Sequence, residues 1–441
     1  MFRSRSSYMA LFVVCTFVSV PASAAVRYVK PTPTGAANCT SWANACTLPT
    51  ALGVADPLTS DQIWVKSGTY APIGLVNGVK LIGGFGGAES AAAQSNPTGN
   101  ITIIDGGLSA PCVTSINPSP SALSPILRGF TLRNGRDSDD EGGGMLLENS
   151  NAIIAECTFE ENSATHFGGA LSVRGAGSPQ FVNCIFRKNG TAAASPRDTK
   201  GGGAIYVREG TPLFVNCLFE GNKAGQGGVV FVREGLPTFI HCTMVKNESM
   251  LRPGGAVSDP NGQVTLKNCT LWNNKRWVDS DGPGGPQPPV SVADQIAGRD
   301  GASFASYSDV QGAWGGPNDH NIHADPLFVN PAAADYRLDD SPASPCLDTG
   351  DNGVLPPDVA DLNWNTNTVE PLPYDLARGF RVSNGAVDMG AYELYVAPPA
   401  GCCIPEQPCG EVLTETACGL AGGSFRPQHP TCETALCPCL E

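Results

Sequence analysis

Charged residues are scarce in this 441-residue sequence, in which Asp, Glu, Lys and Arg together make up 15%. Aromatic residues make up only 7%, and there are only five histidines. The charge that is present is mostly negative, and the net charge is −14. Because the phosphate backbone of nucleic acids repels a strongly acidic protein, we expect no nucleic-acid partner.

Long apolar runs are missing beyond the first 25 residues. The run that is present, residues 9–20, follows the positive charges of Arg3 and Arg5 and precedes the small residues Ala22-Ser23-Ala24. That order predicts a secretory signal peptide over residues 1–24. Since the run is too short to cross a bilayer, we expect a mature chain without a transmembrane segment, secreted or held at the cell surface.

Glycine and proline, in contrast, are abundant, with 52 and 37 residues, a balance that favours turn-rich β structure. Five segments align without gaps, and each has a cysteine, an apolar residue two places later and an asparagine five places after the cysteine. The cysteines are 25 to 33 residues apart, and residues 191–200 explain the longest interval as an inserted loop. The aligned segments are Ala155–Asn162, Val182–Asn189, Val215–Asn222, Ile240–Asn247 and Lys267–Asn274.

A second motif, two glycines followed by Ala or Val and an aliphatic residue, recurs between these segments at Gly168, Gly202, Gly227 and Gly254. Residues two apart on a strand point to the same face, so the cysteine and the apolar residue of each repeat share the interior. Repeats stacked about 4.8 Å apart form parallel strands, with glycines at corners that need a positive φ or lack room for a side chain. Propeller blades are longer, and a leucine-rich repeat needs Leu where Val, Cys and Phe stand here. We therefore predict an all-β fold, a parallel β-helix solenoid.

Stacking of the repeats places equivalent residues in columns along the solenoid axis. We expect the repeat cysteines to line the interior as free thiols, because in-register parallel strands suit disulfide geometry poorly. We expect the side-chain amides of the asparagines to hydrogen-bond to one another at a turn, as a structural ladder that binds no ligand. We expect Asn274 to have such a partner on one side only. The two columns are Cys157, Cys184, Cys217, Cys242 and Cys269, and Asn162, Asn189, Asn222, Asn247 and Asn274.

These motifs resemble those of known proteins. The alternation of Gly-Gly-Ala-[Ile/Leu/Val] with Phe-x-x-Asn resembles the repeat of chlamydial polymorphic outer-membrane proteins and related bacterial β-helix proteins of the pectin-lyase-like fold. Downstream, Asp325-Pro-Leu-Phe-Val329 and Val387-Asp-Met-Gly-Ala-Tyr-Glu393 resemble the C-terminal region of choice-of-anchor Q proteins. The resemblance implies a right-handed parallel β-helix that is secreted or displayed on the cell surface.

The motifs divide the chain into a signal peptide (1–24), an N-terminal cap with the first coils (25–100), β-helix repeats (101–330), a C-terminal coil or capping region (331–395) and a Cys-rich module (396–441). The last region holds seven cysteines. A module that small needs disulfides to hold it together, and zinc is the alternative. We also expect a local disulfide between Cys39 and Cys46, which are close together in the predicted cap.

Arginines form a candidate binding surface. Arg174, Arg208 and Arg233 each lie five residues after the second glycine of their repeats, which predicts an exposed column. Such a column could bind the carboxylates or sulfates of an acidic glycan. The column could also be stable without a ligand, because like charges about 4.8 Å apart in water repel by only about 1 kcal/mol. We favour this structural interpretation.

Metal ligands are few. Asp137, Asp139, Asp140 and Glu141 place four carboxylates within five residues and could bind calcium. Spacing alone does not build a coordination shell, so we favour a solvated acidic loop and expect no cofactor. His320-Asn-Ile-His323 places two imidazoles three residues apart, but strand or turn geometry would direct the rings differently.

Catalytic motifs are absent as well, since the sequence has neither a Gly-x-Ser-x-Gly nucleophile elbow nor a phosphate-binding loop. Three of the four motifs of pectin-cleaving hydrolases are also missing. We favour a non-catalytic secreted or cell-surface protein that serves in adhesion, envelope structure or glycan contact, with extracellular glycans or envelope components as partners. The alternative is a secreted polysaccharide lyase or hydrolase with an unrecognised active site.

Overall fold

The computed structural model describes residues 24–137, 141–191, 200–250, 253–261, 264–278, 290–298, 304–312 and 319–394, and the short strands Gly401–Cys403, Gly410–Glu411 and Ser424–Phe425. The chain winds through stacked coils, and equivalent strands of successive coils pair in parallel. Four long sheets result, here named A to D, and each repeat passes through C, A, B and D in turn. The predicted parallel β-helix is confirmed. The predicted signal peptide, apart from Ala24, and most of the Cys-rich module lie outside the described residues.

The strands of the four sheets are short, with two to six residues each in the described part of the chain. Sheet A contains Val26–Val29, Gln62–Lys66, Lys80–Phe85, Ile126–Arg128, Ile153–Ala155, Gln180–Val182, Leu213–Val215, Thr238–Ile240, Thr265–Lys267 and Phe304–Ser306. Sheet B contains Gly68–Tyr70, Thr102–Asp105, Thr131–Arg133, Thr158–Glu160, Ile185–Arg187, Leu218–Glu220, Thr243–Val245, Thr270–Trp272 and Asp309–Val310. Sheet C contains Ile73–Gly74, Val113–Ile116, Met145–Glu148, Leu171–Arg174, Ile205–Val207, Val230–Val232, Val257–Asp259 and Ile296–Gly298. Sheet D contains Arg136–Asp137, Ser163–Ala164, Gly190–Thr191, Lys223–Ala224, Glu248–Met250, Lys275–Val278 and, antiparallel, Val290–Ala293.

A short helix covers the first coil. Helix Leu48–Val54 begins at Thr47, whose side chain accepts a hydrogen bond from a backbone amide of the first turn, and its apolar face joins the core. The predicted disulfide between Cys39 and Cys46 is confirmed. This cap covers the apolar end of the stack, which would otherwise face water. The other described helices are single 3-10 turns: Trp42–Asn44, Ala92–Gln94, Pro331–Ala333 and Asn352–Val354. No described helix has the length and hydrophobicity needed to cross a membrane.

Aromatic side chains stack along the interior at the spacing of the coils. The rings of Phe159, Phe186 and Phe219 follow one another at centroid distances of 4.4 and 4.9 Å, with nearly parallel planes. These distances match the separation of paired strands, about 4.8 Å, so each coil contributes one ring that stacks on the ring of the next coil. A second stack meets the first edge to face and consists of Phe181, Phe214 and Phe239.

The paired glycines meet two different requirements at each corner. Gly202, the first of its pair, has a φ of 72°, in the left-handed region that residues with a side chain disfavour. Gly203, the second, has no room for a side chain, because a Cβ atom there would lie 2.3 Å from the carbonyl oxygen of Gly228. The sequence predicted these requirements as alternatives, and the corner uses both.

A further set of repeat residues faces outward where sheet A turns into sheet B. Each lies directly before a repeat cysteine and has a positive φ of 49–52°. Asparagine adopts this conformation more readily than most residues, which explains the Asn-Cys pairs of three repeats. We call this set the outer corner column: Glu156, Asn183, Asn216, His241 and Asn268.

Residues 326–394, here called the C-terminal strap, run back along the outside of the β-helix over the outer corner column. The side-chain amides of Asn183 and Asn268 donate to the backbone carbonyls of Asp375 and Asp351 at 2.7 and 2.9 Å. Regular structure in the strap consists of the antiparallel strands Phe328–Asn330 and Asp335–Leu338 and the 3-10 turns given above. The strap therefore makes its contacts with successive coils mainly through irregular backbone.

Two buried arginines hold the strap in place. Arg128 of sheet A donates to the backbone carbonyls of residues 360–362 in the strap. Arg381 belongs to the strap itself, is fully buried, donates to Nδ1 of His241 at 3.0 Å and lies 3.4 Å from the Glu393 carboxylate. Each guanidinium group thus satisfies several acceptors that the packing of the strap has removed from water.

Candidate functional site

The three arginines predicted as a column lie in successive coils at the edge of sheet C. Arg174 pairs in register with Glu148 of the preceding coil. Arg208 and Arg233 continue the same ladder, because their backbone amides donate to the carbonyls of the residues one place earlier in the neighbouring coils, at 2.9 and 2.8 Å. Exposure of the three side chains rises along the axis, from 28% to 46% and 58%. We call these three residues the arginine column.

Ion pairing is uneven along the arginine column. Arg174 lies 3.2 Å from the Glu148 carboxylate of the coil before it. Among the described residues, Arg208 and Arg233 form ion pairs with the glutamate that follows each of them in sequence, at 4.0 and 3.7 Å, and both of these glutamates are exposed. Arg233 also interacts with the hydroxyl of Tyr206. Exposed pairs at such distances contribute little free energy. Arg208 and Arg233 therefore remain open to a ligand that offers better acceptors.

Aromatic rings lie beside the arginine column on the same outer face. Tyr206 and Phe231 stand two residues before Arg208 and Arg233, and their ring centroids are 5.8 Å apart with planes at 9°. Phe167, from the corner that precedes sheet C, stacks on both rings, at 4.6 and 5.8 Å. Phe167 and Phe231 are half-buried, and Tyr206 lies beneath them. We call these three rings the aromatic stack.

Sequence reasoning missed the aromatic stack, although part of it was visible in the pattern. Residues two apart on a strand share a face, so Tyr206 and Phe231 had to lie on the same side as the arginines. Phe167 could not have been placed this way, because it lies outside the strands. The neighbouring coil has Gly201 at the equivalent position, and a Cβ atom there would meet the Phe231 ring at 2.6 Å.

Two of the four predicted calcium ligands, Asp137 and Glu141, lie among the described residues. Asp139 and Asp140 lie outside the described residues. The Asp137 carboxylate accepts a hydrogen bond from the backbone amide of Glu141 at 3.1 Å. The Glu141 carboxylate turns toward sheet C and lies 3.9 Å from Arg174, where it adds a negative charge at the better-paired end of the arginine column.

Among the described residues, one group of carboxylates is close enough to hold a cation: Asp348, Asp388 and Glu393 of the strap. Both oxygens of Asp388 and both of Glu393 accept backbone amide hydrogen bonds within the strap. Burial raises the pKa of Glu393 to about 9. Because metal ligands must be deprotonated, we assign this group to the structure of the strap.

The five predicted asparagines form one interior column, and each is at most 1% exposed. The side-chain amides of the first four donate to the Oδ1 of the next asparagine at 2.8–3.0 Å, and all five donate to a backbone carbonyl at 2.8–2.9 Å. Asn274 was predicted to have a partner on one side only. That prediction was wrong, because Gln295 takes the next position and accepts from the Asn274 amide at 2.7 Å.

The five repeat cysteines lie in the core as free thiols, each at most 1% exposed. Their sulfur atoms point toward backbone carbonyl oxygens, as Cys184 does toward Ile154 of the preceding coil at 3.5 Å. Burial raises the pKa of Cys157 to about 12. A thiol that holds its proton this firmly packs as a small apolar group and is chemically inert.

His320 and His323 have separate partners. The His320 ring stacks on Tyr307 at a centroid distance of 4.5 Å, and its Nδ1 lies 3.0 Å from the Asp319 carboxylate. His323 instead places its Nδ1 3.2 Å from the backbone carbonyl of Val310. Among the described residues, His320 and His323 therefore do not face a common position where one metal ion could bind both rings.

The repeat region matches a known protein family, and two solved structures show a remote similarity to the chain. The family model described as "Right handed beta helix region" matches residues 124–302. Among solved structures, pectate lyase Pel9A matches with a TM-score of 0.37 and 13% identity over 84% of this chain and 97% of that chain. A rhamnogalacturonan lyase matches with a TM-score of 0.24 and 10% identity over 69% of this chain and 90% of that chain. No curated protein sequence matches significantly.

Similarities this remote say nothing about a substrate or an activity of this chain. The fold, in contrast, is established, because the parallel sheets of the structure and the family match of the repeat region indicate the same architecture. This chain is a right-handed parallel β-helix protein.

Proposed function

We propose that this protein is a non-catalytic extracellular protein that binds an acidic polysaccharide on the outer face of sheet C. The carboxylate or sulfate groups of the ligand bind at Arg208 and Arg233, and its sugar rings lie against the aromatic stack. A polymer with regularly spaced anionic groups suits a column in which each coil presents one guanidinium group.

Two outer columns of charge differ in a way that supports this site. On sheet B, opposite charges alternate from coil to coil in the order Asp105, Arg133, Glu160, Arg187 and Glu220. Arg133 and Arg187 each pair with the preceding member, at 3.1 and 2.5 Å. Cross-strand pairs of opposite charge stabilise a sheet, whereas like charges side by side destabilise it. The three successive arginines of sheet C work against that preference, and this contrast is the observation on which the proposal rests.

The aromatic stack supports the same ligand class. Binding sites for small molecules combine apolar and aromatic surface with a few well-placed polar groups. Phe167 and Phe231 supply partly exposed ring surface on the same outer face as Arg208 and Arg233. A sugar has both apolar ring faces and polar substituents, and so it can use the two kinds of surface together.

An extracellular location is supported by the cap. The disulfide between Cys39 and Cys46 is of a kind that forms and persists in oxidising compartments. The leader predicted over residues 1–24 supports export as well. A polysaccharide of a cell wall, an envelope or an extracellular matrix would be within reach of such a protein.

Affinity electrophoresis in gels that contain polygalacturonate tests this site. The double variant Arg208→Gln/Arg233→Gln should bind about ten-fold more weakly or worse, because a hydrogen bond to a charged group contributes about 1.5–3 kcal/mol. Arg187→Gln is the matched control, since it removes an exposed arginine that is already paired on sheet B. It should migrate like the wild-type protein.

Two results would overturn the proposal. If the double variant and Arg187→Gln were retarded as strongly as the wild-type protein, the arginine column would not be the binding site. If the wild-type protein released unsaturated oligosaccharides from polygalacturonate, detected by their ultraviolet absorbance, the protein would be a lyase. The second result would replace the binding function by the catalytic alternative raised from the sequence.

A further inference from the structure

A cavity of about 280 Å³ lies on the outer face of sheet B, at the edge of the area that the strap covers. Its lining includes the outward-facing side chains of Thr131, Thr158 and Ile185, which pair in register in three successive coils. Strap residues 376–378 form one wall, and residues 97–98 contribute to another. We call this the sheet B cavity.

The sheet B cavity contains hydrogen-bonding groups that the fold does not use. The hydroxyl groups of Thr131 and Thr158 have no hydrogen-bond partner among the described residues. Further along the same column, where the strap covers the sheet, the hydroxyl of Thr243 accepts a hydrogen bond from the backbone amide of Ala391 at 2.9 Å. Thr243 thus binds the backbone of the strap, whereas Thr131 and Thr158 keep their hydroxyls available to a ligand in the cavity.

The charges around the sheet B cavity favour an anion. Arg378 lines the cavity with a side chain that is 48% exposed, and it lies 2.5 Å from the Glu156 carboxylate. The same carboxylate also pairs with Arg128 at 2.6 Å. Because Arg128, which lies outside the lining, also pairs with Glu156, that one carboxylate does not fully neutralise Arg378.

We propose that the sheet B cavity binds a single carboxylate-bearing sugar residue, with its carboxylate at Arg378 and its ring hydroxyls at Thr131 and Thr158. Its volume of about 280 Å³ lies at the lower limit of ligand pockets, roughly 300 Å³, which restricts the ligand to about one ring. The cavity lies on a different sheet from the arginine column, so this inference does not depend on the polysaccharide site proposed above.

Isothermal titration calorimetry of the whole protein with D-galacturonate and D-galactose tests this inference. The two sugars differ by the carboxylate, and galacturonate should bind about ten-fold more tightly. Arg378→Gln should remove that preference. Thr158→Val replaces the hydroxyl by a methyl group of similar size and should weaken the binding of both sugars. Arg187→Gln, on the same sheet but paired with Glu160, serves as the control and should bind galacturonate like the wild-type protein.

Thermal unfolding of each variant separates lost binding from lost structure, and Glu156 keeps Arg128 as a partner when Arg378 is replaced. Equal affinity for galacturonate and galactose, or wild-type affinity in folded Arg378→Gln, would overturn the proposal. The double variant Arg208→Gln/Arg233→Gln should still bind galacturonate. If that variant lost galacturonate binding, the sugar would occupy the face of sheet C, and the sheet B cavity would not be its site.

Discussion

The side-chain amide of Asn274 donates to Oε1 of Gln295 at 2.7 Å, so the interior asparagine column continues beyond its last asparagine. Gln295 returns a hydrogen bond to the backbone carbonyl of Asn274 at 3.2 Å. Asn222, in the middle of the column, likewise has the side-chain amides of Asn189 and Asn247 on its two sides. The end of the column is therefore hydrogen-bonded as completely as its centre.

Replacing Asn222 or Asn274 by alanine should consequently lower the free energy of unfolding by similar amounts, about 1–3 kcal/mol each. Either change leaves buried donors and acceptors of the neighbouring coils without a partner. Asn38, which is exposed in the cap, is the control, and its replacement should cost less than about 0.5 kcal/mol. Denaturant unfolding measures all three values. A much smaller loss for Asn274→Ala than for Asn222→Ala would show that Gln295 does not complete the column.

Cys157 and Cys242 of the cysteine column should react slowly in the folded protein. Cys157 and Cys242 are at most 1% exposed, and burial raises the pKa of both, that of Cys157 to about 12. Because the thiolate is the reactive form, iodoacetamide at mildly alkaline pH should leave both unlabelled until the protein is unfolded. Mass spectrometry of the peptides identifies the labelled sites. Rapid labelling of native Cys157 would mean that the column faces solvent.

The repeat specified the coils but could not specify what covers them. Cys184 and Phe186, two residues apart, had to share the interior, and the constant offset of Asn189 placed it at a turn. No comparable sequence pattern predicts that the strap covers the coils. Arg128 binds carbonyl groups that are 232 to 234 residues away, and a backbone carbonyl leaves no mark in an amino-acid sequence.

The sequence likewise predicted only part of the candidate site. A constant offset from the paired glycines was enough to place Arg208 and Arg233 in one column. Whether that column is unusual depends on how charges pair on other faces, such as Arg187 with Glu160, and only the register between coils shows this. The sheet B cavity could not be predicted at all, because Arg378 reaches it from the strap.

Removing Arg381 should loosen the strap. Arg381 is fully buried and donates to Nδ1 of His241 and to the backbone carbonyls of Asp388 and Gly390, so Arg381→Met leaves three buried acceptors without a donor and should cost about 3 kcal/mol or more. Limited proteolysis should then cut within residues 326–394 sooner than in the wild-type protein. Arg337→Met removes an exposed partner of Asp335 and should cost no more than about 1 kcal/mol. If both variants resisted the protease as the wild-type protein does, other contacts would hold the strap.

The stability of the strap should also depend on pH through His241. Burial and the nearby Arg381 guanidinium lower the pKa of His241 well below its ordinary value. The geometry gives the reason, since Nδ1 accepts a hydrogen bond from Arg381 at 3.0 Å and a protonated ring could not accept it. In the unfolded chain the pKa is about 6.5. The unfolded state therefore binds more protons at acidic pH, and the stability contributed by neutral His241 is lost as the pH falls below about 6.5.

His241→Asn should remove this dependence, because asparagine stands at the same corner in three other coils, tolerates a φ of 52° and offers Arg381 an oxygen acceptor. As the pH falls below about 6.5, the wild-type protein should lose stability relative to the variant. The difference between their unfolding free energies should grow by up to about 1.4 kcal/mol per pH unit. Asp375 and Asp388, whose pKa values burial raises to about 6, are present in both proteins, and to first order their titration cancels in the difference. Denaturant unfolding at several pH values on either side of 6.5 measures it. A difference that stayed constant with pH would show that His241 does not couple the strap to protonation.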